Sequence, residues 1–163
     1  MFILTQDRVK QLLIYDPDTG VFRWRIYRSG NAGPGQITGS LNTTGYIQIK
    51  LNAIKYSAHR LAWLYVNGAW PDFDLDHINR NRQDNRISNL RQATRSQNCQ
   101  NQKARADNVS GVKGVHWCNR KQKWVVQVSV NGKRKHLGAF AHLNDAQVVR
   151  TAAEKQYYSF KVA

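Results

Sequence analysis

The spacing of apolar residues predicts short helices and strands along the whole chain. Apolar residues three and four positions apart are typical of helices, and alternation of apolar with polar residues is typical of half-buried strands. The helical spacing occurs in residues 5–15, 59–66 and 144–157. Alternation or a short apolar run predicts strands over residues 21–26, 45–51, 54–56, 114–117, 124–130 and 134–140. Short strands mixed with separate helices favour the α+β fold class.

A long polar stretch lies between the two groups of elements. Residues 70–101 are rich in Asn, Arg and Asp, a composition that is typical of a loop. A structureless segment of this length inside a compact domain is more often functional than idle. At its end, Thr94 is a predicted N-cap for a helix over residues 95–102, and the polar residues 104–110 are predicted to form a linker.

The charge balance indicates a polyanionic partner. The 163 residues include 25 Lys and Arg against 10 Asp and Glu, a formal net charge of +15. Basic side chains without acidic partners repel one another until a polyanion neutralises them, and the release of its counterions favours binding. The excess of basic residues is greatest in residues 108–163. A nucleic acid is the favoured partner, because the chain has no basic amphipathic helix that would bind an anionic membrane.

Cellular location and metal chemistry are both limited by what the sequence lacks. No apolar run approaches the roughly 18 residues of a membrane helix, and the first ten residues do not have the basic-then-apolar pattern of a signal peptide. We therefore expect a cytoplasmic protein with no membrane partner and no obligatory protein partner.

Cys99 and Cys118 form no CxxC pair, which argues against a disulfide scaffold and a four-cysteine zinc site. Any metal would have oxygen and imidazole ligands.

The residues suited to chemistry lie in the polar stretch. Asp76 and His77 are adjacent, and Asn85, Asn89 and Asn98 follow them. Phosphodiester hydrolysis needs a divalent ion and a base of near-neutral pKa. Carboxylate and amide oxygens suit magnesium or manganese, and a neutral imidazole suits the base. Neighbours on a strand point to opposite faces, so Asp76 and His77 would do different work. The alternative, in which His77 is a surface histidine and the asparagines occupy turns, stays open on these residues alone.

The same segment resembles a known family. The run DHINRNRQDNRISNLRQATRSQNCQN (76–101), with AHRLAWLYVNG (58–68) before it, is similar to HNH endonucleases of the phage and homing-endonuclease type. The resemblance implies a ββα-metal (His-Me finger) fold, in which a hairpin and a helix hold one divalent ion, Mg²⁺ or Mn²⁺. It implies that Asp76 and Asn98 are the metal ligands and that His77 activates water. Asn89 would hold the connecting loop and orient the base. Asn98 stands where many relatives carry the final His, which makes this an H-N-N variant.

Other residues near the motif have two interpretations. His59 lies before it on a predicted amphipathic helix, where a histidine is more often structural than part of an active site. Five arginines flank the motif and are either solvated charges or contacts to the DNA backbone and the reacting phosphate. Next to a site that cuts phosphodiesters we predict the second, for Arg80, Arg82, Arg86, Arg91 and Arg95.

A second resemblance covers the end of the chain. The stretch SGVKGVHWCNRKQKWVVQVSVNGKRKHLGAF (110–140), followed by a helix, resembles the AP2 DNA-binding domain, which also occurs in phage nucleases. The resemblance implies that one face of a three-stranded sheet enters the major groove. The residues it places on that outer face are Lys113, His116, Trp117, Trp124, Gln127, Arg134 and His136. Trp124 has a second interpretation as a core aromatic.

The two resemblances together predict a metal-dependent DNA endonuclease that nicks one strand of duplex DNA. Residues 1–57 are predicted to pack on a nuclease motif at 58–103, and residues 111–163 are predicted to form the AP2-like domain. The alternative from another class is a DNA-binding regulator in which the HNH motif is only a scaffold. RNA binding or cleavage is disfavoured, because neither segment resembles an RNA-recognition fold.

Overall fold

The computed structural model describes residues 4–28, 30, 32–130, 132–158 and 160. The chain divides into two compact units, Met1–Thr94 and Arg95–Ala163. Both contain helices and antiparallel strands, so the fold is a mixture of α and β structure, as predicted. The domain limits predicted from the sequence stay predictions.

Among the described residues, the first unit contains two helices and three small antiparallel sheets. The elements, in chain order, are α1 (Gln6–Leu12), β1 (Leu13–Tyr15), β2 (Phe22–Trp24), β3 (Ser40–Leu41), β4 (Ile47–Leu51), β5 (Ile54–Ser57), α2 (Ala58–Asn67), β6 (Asp74–His77), a 3₁₀ turn (Ile87–Asn89) and β7 (Leu90–Ala93). In the sheets, β1 pairs with β2, β4 pairs with both β3 and β5, and β6 pairs with β7.

The first helix begins where the sequence predicts and ends earlier. The Thr5 hydroxyl accepts a hydrogen bond from the Arg8 backbone N–H, which confirms the predicted N-cap. The helix stops at Leu12, because the next three residues pair with β2 and bury Leu13 and Tyr15. The predicted helix over residues 5–15 is therefore wrong at its last three residues.

The core of the first unit lies against α2. Leu61 and Leu64 of this helix are buried with Leu12 of α1 and with Ile49 and Leu51 of β4. The helix ends at Gly68, whose φ of 79° closes the last turn in the left-handed conformation. The helix and its end agree with the prediction from apolar spacing.

The polar stretch is more ordered than its composition predicts. Residues 74–77 and 90–93 form the antiparallel hairpin β6–β7, and a 3₁₀ turn precedes β7. Apolar alternation does not reveal this hairpin, because its strands bury Asp76 and His77 beside Leu75 and Leu90. Composition alone was wrong here, whereas the family resemblance implied a hairpin.

Within the described residues, the second unit contains a three-stranded antiparallel sheet whose middle strand is the second in chain order, with a helix packed on it. Ala146 of that helix is buried with Val115 and Val126 of the sheet. The strands and the last helix lie within one residue of the predicted segments. The elements are α3 (Arg95–Asn101), β8 (Val115–Cys118), β9 (Lys123–Val130), β10 (Lys133–Phe140) and α4 (Leu143–Tyr157).

Candidate active site

The hairpin β6–β7 positions the two central residues of the motif. Its register places Asp76 opposite Arg91 and His77 opposite Leu90. Adjacent strand residues point to opposite faces, so the carboxylate and the imidazole lie on different sides of the hairpin. Both side chains are buried: Asp76 is 6% exposed and His77 is 4% exposed. His77 is therefore not the surface histidine of the alternative interpretation.

Asp76 forms an ion pair across the hairpin. The Nε and Nη2 atoms of Arg91 each donate a hydrogen bond to Asp76 Oδ2, at 3.0 and 2.9 Å. Only 8% of the Asp76 side chain and 23% of the Arg91 side chain are exposed. Burying a carboxylate is costly unless it is paired, so Arg91 makes the position of Asp76 tolerable. The sequence prediction for Arg91 was a DNA contact, and the pairing with Asp76 was missed.

Aromatic rings surround His77. Its ring centroid is 5.1 Å from that of His59 in an edge-to-face arrangement, and 5.8 Å from that of Tyr46. Burial lowers the pKa of His77, and a polar contact with the Asn85 side chain together with the charge of Asp76 opposes that shift. The imidazole is therefore neutral near pH 7 and is able to accept a proton.

His59 belongs to the same ring cluster. It lies on the buried face of α2, is 9% exposed and contacts Tyr46 at a centroid distance of 5.2 Å. Burial lowers its pKa to about 3, and the nearby His77 acts in the same direction. Its Nδ1 atom is buried without a hydrogen-bond partner among the described residues. His59 is a neutral packing partner of His77 at physiological pH.

The side chain of Asn89 closes the loop between the two strands. Its Oδ1 accepts a hydrogen bond from the Asn79 N–H at 2.9 Å. Its Nδ2 donates to Asn79 Oδ1 at 3.0 Å and to the Asp84 carbonyl at 2.8 Å. In addition, the Asn89 carbonyl accepts from the N–H of Ile78. The buried side-chain amide of Asn89, at the end of the loop of residues 78–89, thus binds both Asn79 near its start and Asp84 in its middle.

Asp84 organises the centre of the same loop. Its carboxylate accepts two hydrogen bonds from the Arg86 guanidinium, at 2.8 and 2.6 Å, and one from Asn79 Nδ2. The hydrogen bonds from Arg86 are the main reason that the pKa of Asp84 falls to about 2. A pKa of about 2 keeps Asp84 charged, and its ion pair with Arg86 formed, at neutral pH.

The predicted DNA-contact arginines of the first unit differ in their surroundings. Arg82 donates to the Thr44 carbonyl and lies over the Tyr46 ring, and Arg86 pairs with Asp84. Arg80 has a φ of 63°, an unusual conformation for a residue with a side chain. Arg82 and Arg86 are exposed, whereas the Arg91 side chain is half-buried in its ion pair with Asp76.

The N-terminal hairpin, β1 and β2, packs against the loop of residues 78–89. The Tyr15 hydroxyl donates to the Asn85 carbonyl at 2.8 Å, and burial raises the pKa of Tyr15 to about 12. Gly20 has a φ of 73° and lies so close to this loop that a Cβ atom there would be 2.5 Å from the backbone nitrogen of Arg86. The role of β1 and β2 was not visible in the motif, because it depends on contacts between distant residues.

Asn98 and Arg95 lie in the second unit. Both are on α3, where Asn98 is half-buried and Arg95 is exposed. The first unit by itself brings together Asp76, His77 and Asn89 and adds Asn85, Tyr46 and His59. Within the described part of the chain, no group of three or more His, Cys, Asp or Glu side chains could hold a metal. The predicted ligands, a carboxylate and an amide, do not form such a group.

The sheet of the second unit separates its predicted DNA contacts onto two faces. In antiparallel pairs, opposed residues share a face. His116 opposes Val125, His136 opposes Gln127 and Arg134 opposes Ser129, all on the side away from α4. Lys113 precedes β8 and donates to the Cys99 carbonyl.

The two tryptophans lie on the other side of that sheet. Trp117 opposes Trp124, and their rings meet edge to face at 5.2 Å. Trp124 packs against the core that α4 covers. The residue spacing of β9 places Trp124 on the side of Val126 and Val128, so the outer face predicted for Trp124 is wrong and its core interpretation is the one observed. Trp117 is 40% exposed, and its predicted DNA contact stays a prediction.

Comparisons with known proteins agree with the motif. Residues 56–100 match the family model of the HNH endonucleases. Protein 3.8 of Escherichia phage T7 is 34% identical over 77 residues, which are 47% of this chain and 64% of the T7 protein. The chain thus spans just under two thirds of that relative.

A solved structure of the HNH homing endonuclease I-HmuI is also similar. It has a TM-score of 0.44 and 21% sequence identity, and the match covers 77% of this chain and 71% of the other. Among the helices of the described residues, none has the length and apolar character needed to cross a membrane. Residues 56–100 are therefore similar to the HNH endonucleases.

Proposed function

We propose that the chain is a metal-dependent DNA endonuclease that hydrolyses a phosphodiester bond at the β6–β7 hairpin. The observation that carries the proposal is the buried pair Asp76 and His77, held on a hairpin inside the segment that matches the HNH endonucleases. A buried carboxylate next to a neutral imidazole has the chemistry of an ion ligand beside a general base.

The donor set fits a hard divalent cation. Mg²⁺ binds through one or two carboxylates or amide oxygens and keeps several waters, and Mn²⁺ accepts the same ligands. Asp76 would be the anionic ligand, and Asn98 would add an amide oxygen. The ion, when bound, supplies neutralisation of the charge that develops on the phosphate and the leaving oxygen.

His77 would accept the proton from the attacking water. Burial keeps its imidazole neutral at pH 7, and the rings of His59 and Tyr46 limit its movement. A base that is already neutral and already oriented loses little free energy in reaching the reactive geometry. His77 is therefore the residue whose removal should abolish cleavage.

Asn89 would position the base indirectly. Its three side-chain hydrogen bonds hold residues 78–89 in one conformation, and that loop directly follows His77. The Tyr15 hydroxyl strengthens the same loop through Asn85. These contacts support a positioning role for Asn89, with no direct contact to the substrate.

Double-stranded DNA is the proposed substrate, in the cytoplasm of a bacterial or phage-infected cell. The net charge of +15 favours a polyanion. We assign duplex binding to the AP2-like second unit, through the sheet face that carries exposed His116, Arg134 and His136 with half-buried Gln127. Additional backbone contacts are proposed for Lys113, Arg80, Arg82, Arg86 and Arg95.

A single motif would cut one strand in each binding event, so the proposed product is a nick. The test incubates supercoiled plasmid with wild-type protein and with the His77→Ala variant, in Mg²⁺ or Mn²⁺ and again with EDTA. We expect nicking by the wild type that requires metal, and no nicking by the variant despite normal DNA binding. Full-rate cleavage by the variant would show that His77 is not the base.

The same assay separates the enzyme from a DNA-binding regulator. A regulator would bind the plasmid in a gel-shift experiment and leave it supercoiled in every metal. That result with folded wild-type protein would replace the nuclease proposal with the scaffold alternative.

A further inference from the structure

The ion pair between Asp76 and Arg91 opposes metal binding if Asp76 is a metal ligand. Both guanidinium hydrogen bonds end on Asp76 Oδ2, at 2.9 and 3.0 Å. The two residues are direct cross-strand neighbours, so the backbone register itself delivers the positive charge to the carboxylate. An arginine does not lose its proton in proteins, and this charge is therefore permanent.

A divalent ion at the same carboxylate would meet that charge at short range. The Asp76 side chain is 8% exposed and the Arg91 side chain is 23% exposed, so neither is well screened by solvent. Two cations on one poorly solvated carboxylate repel each other much more strongly than they would in bulk water. The ion must therefore displace the guanidinium, and the loss of that ion pair makes the ion bind more weakly than the carboxylate alone would allow.

We propose that Arg91 competes with the divalent ion for Asp76 and lowers the metal affinity of the DNA-free protein. The inference rests on the proposed function, since it takes Asp76 as the metal ligand. It assigns Arg91 a task different from the DNA contact predicted from the sequence. Arg91 is thus an affinity-determining residue that keeps the buried carboxylate neutralised until the ion arrives.

The test measures Mn²⁺ binding to the full chain without DNA, from the electron paramagnetic resonance signal of free Mn²⁺. Arg91→Gln removes the charge and keeps a polar side chain of similar reach, and we expect at least about tenfold tighter binding. Arg91→Lys keeps the charge and should bind Mn²⁺ within about threefold of the wild type. Asp76→Asn should bind Mn²⁺ much more weakly than either.

Two results overturn the proposal and point to different failures. If Arg91→Gln binds Mn²⁺ no more tightly than the wild type while Asp76→Asn loses binding, competition is wrong and the ligand assignment stands. If Asp76→Asn binds as tightly as the wild type, the ion is not at Asp76, and the metal site of the proposed function fails as well.

A measurement on the unmodified protein covers the case in which Arg91→Gln does not fold. The Nε–H resonance of Arg91 is followed by nitrogen-15 nuclear magnetic resonance during titration with Mg²⁺. We expect it to shift and to exchange faster with solvent as its hydrogen bond to Asp76 is lost. An unchanged resonance at saturating Mg²⁺ would overturn the proposal.

Discussion

The hydroxyl of Tyr15 donates a 2.8 Å hydrogen bond to the backbone carbonyl of Asn85, 70 residues away in the sequence. The Tyr15 ring also packs against Phe22 and Tyr65, at centroid distances of 4.7 and 5.6 Å. Through this contact the N-terminal hairpin stabilises the loop that follows His77. The segment that carries the proposed site is therefore supported by residues that lie outside the match to the HNH endonucleases.

Removing that hydroxyl should destabilise the protein. Tyr15→Phe leaves the ring packing intact and deprives the buried Asn85 carbonyl of its donor, so we expect the free energy of unfolding to fall by about 1–2 kcal/mol. Urea unfolding followed by circular dichroism measures the change. Tyr27→Phe is the matched control, because Tyr27 is 66% exposed and should change stability by less than about 0.5 kcal/mol.

Gly20 should be more sensitive to substitution than Gly35, although both have a positive φ. A Cβ atom at Gly20 would be 2.5 Å from the backbone nitrogen of Arg86, whereas one at Gly35 would meet nothing within 4 Å. Both residues have φ values near +80°, so Gly35→Ala measures the conformational cost alone, about 1 kcal/mol. Gly20→Ala should cost at least about 2 kcal/mol more, because the hairpin and the loop must separate. Equal thermal shifts for the two variants would contradict the close contact.

Asn89→Asp should affect catalysis more than DNA binding. The variant keeps the acceptor for the Asn79 N–H but loses both Nδ2 hydrogen bonds, and it places a charge near Asp84. Loosening the loop should misplace His77 and slow plasmid nicking by about 100-fold. The dissociation constant for the same DNA, measured by fluorescence anisotropy, should change by less than about threefold. A variant that nicks at the wild-type rate would exclude the positioning role.

Stability should fall in mild acid because of His59. Burial lowers the pKa of His59 from 6.5 to about 3. Below about pH 6.5 the unfolded chain binds a proton at this residue and the folded protein does not, so the free energy of unfolding falls as the pH drops from about 6.5 toward 3. The contribution of one such residue is at most about 1.4 kcal/mol per pH unit.

His77 acts in the same direction, because burial also lowers its pKa. Urea unfolding at several pH values between 4 and 8 measures the slope. The His59→Phe variant replaces the imidazole by a ring that does not titrate, and its stability should depend less steeply on pH than that of the wild type. The same slope in both proteins would show that His59 is protonated in the folded state.

Substitutions on the two sides of the second unit's sheet should change different properties: DNA affinity on the side away from α4, and stability on the side that α4 covers. Arg134 is exposed on the face away from α4, so Arg134→Ala should weaken DNA binding and reduce the slope of log affinity against log salt by about 1. Trp124 packs in the core, and Trp124→Ala should lower the free energy of unfolding by about 3 kcal/mol. Salt titrations of DNA affinity and urea unfolding test both. An Arg134→Ala variant with unchanged affinity would remove that face from the DNA contact.

Patterns that depend on near neighbours were predictable from the sequence. Thr5 as a cap, the helix that ends at Gly68 and the strands of the last sheet all follow from local spacing. The adjacency of Asp76 and His77 and the placement of both on a strand also came from the sequence and its resemblance. These features persist because each depends on residues within one turn or one hairpin.

Features that depend on tertiary packing were not predictable. Nothing near Tyr46 in the chain indicates that its ring meets His59 and His77. The Asp76–Arg91 pair follows from strand register, which the polar sequence does not reveal because its buried face is not apolar. The face of Trp124 was missed because the resemblance was applied position by position, without the alternation of β9.

The register of β6 and β7 makes the length of the intervening loop a chemical property of the protein. Because strand side chains alternate, a shift of one residue would bring Leu90 opposite Asp76 and turn Arg91 away from it. A single insertion in residues 78–89 that moved the register would therefore separate the Asp76 carboxylate from the Arg91 guanidinium, with every residue of the motif still present. Spacing in this segment therefore constrains the proposed site as strictly as residue identity.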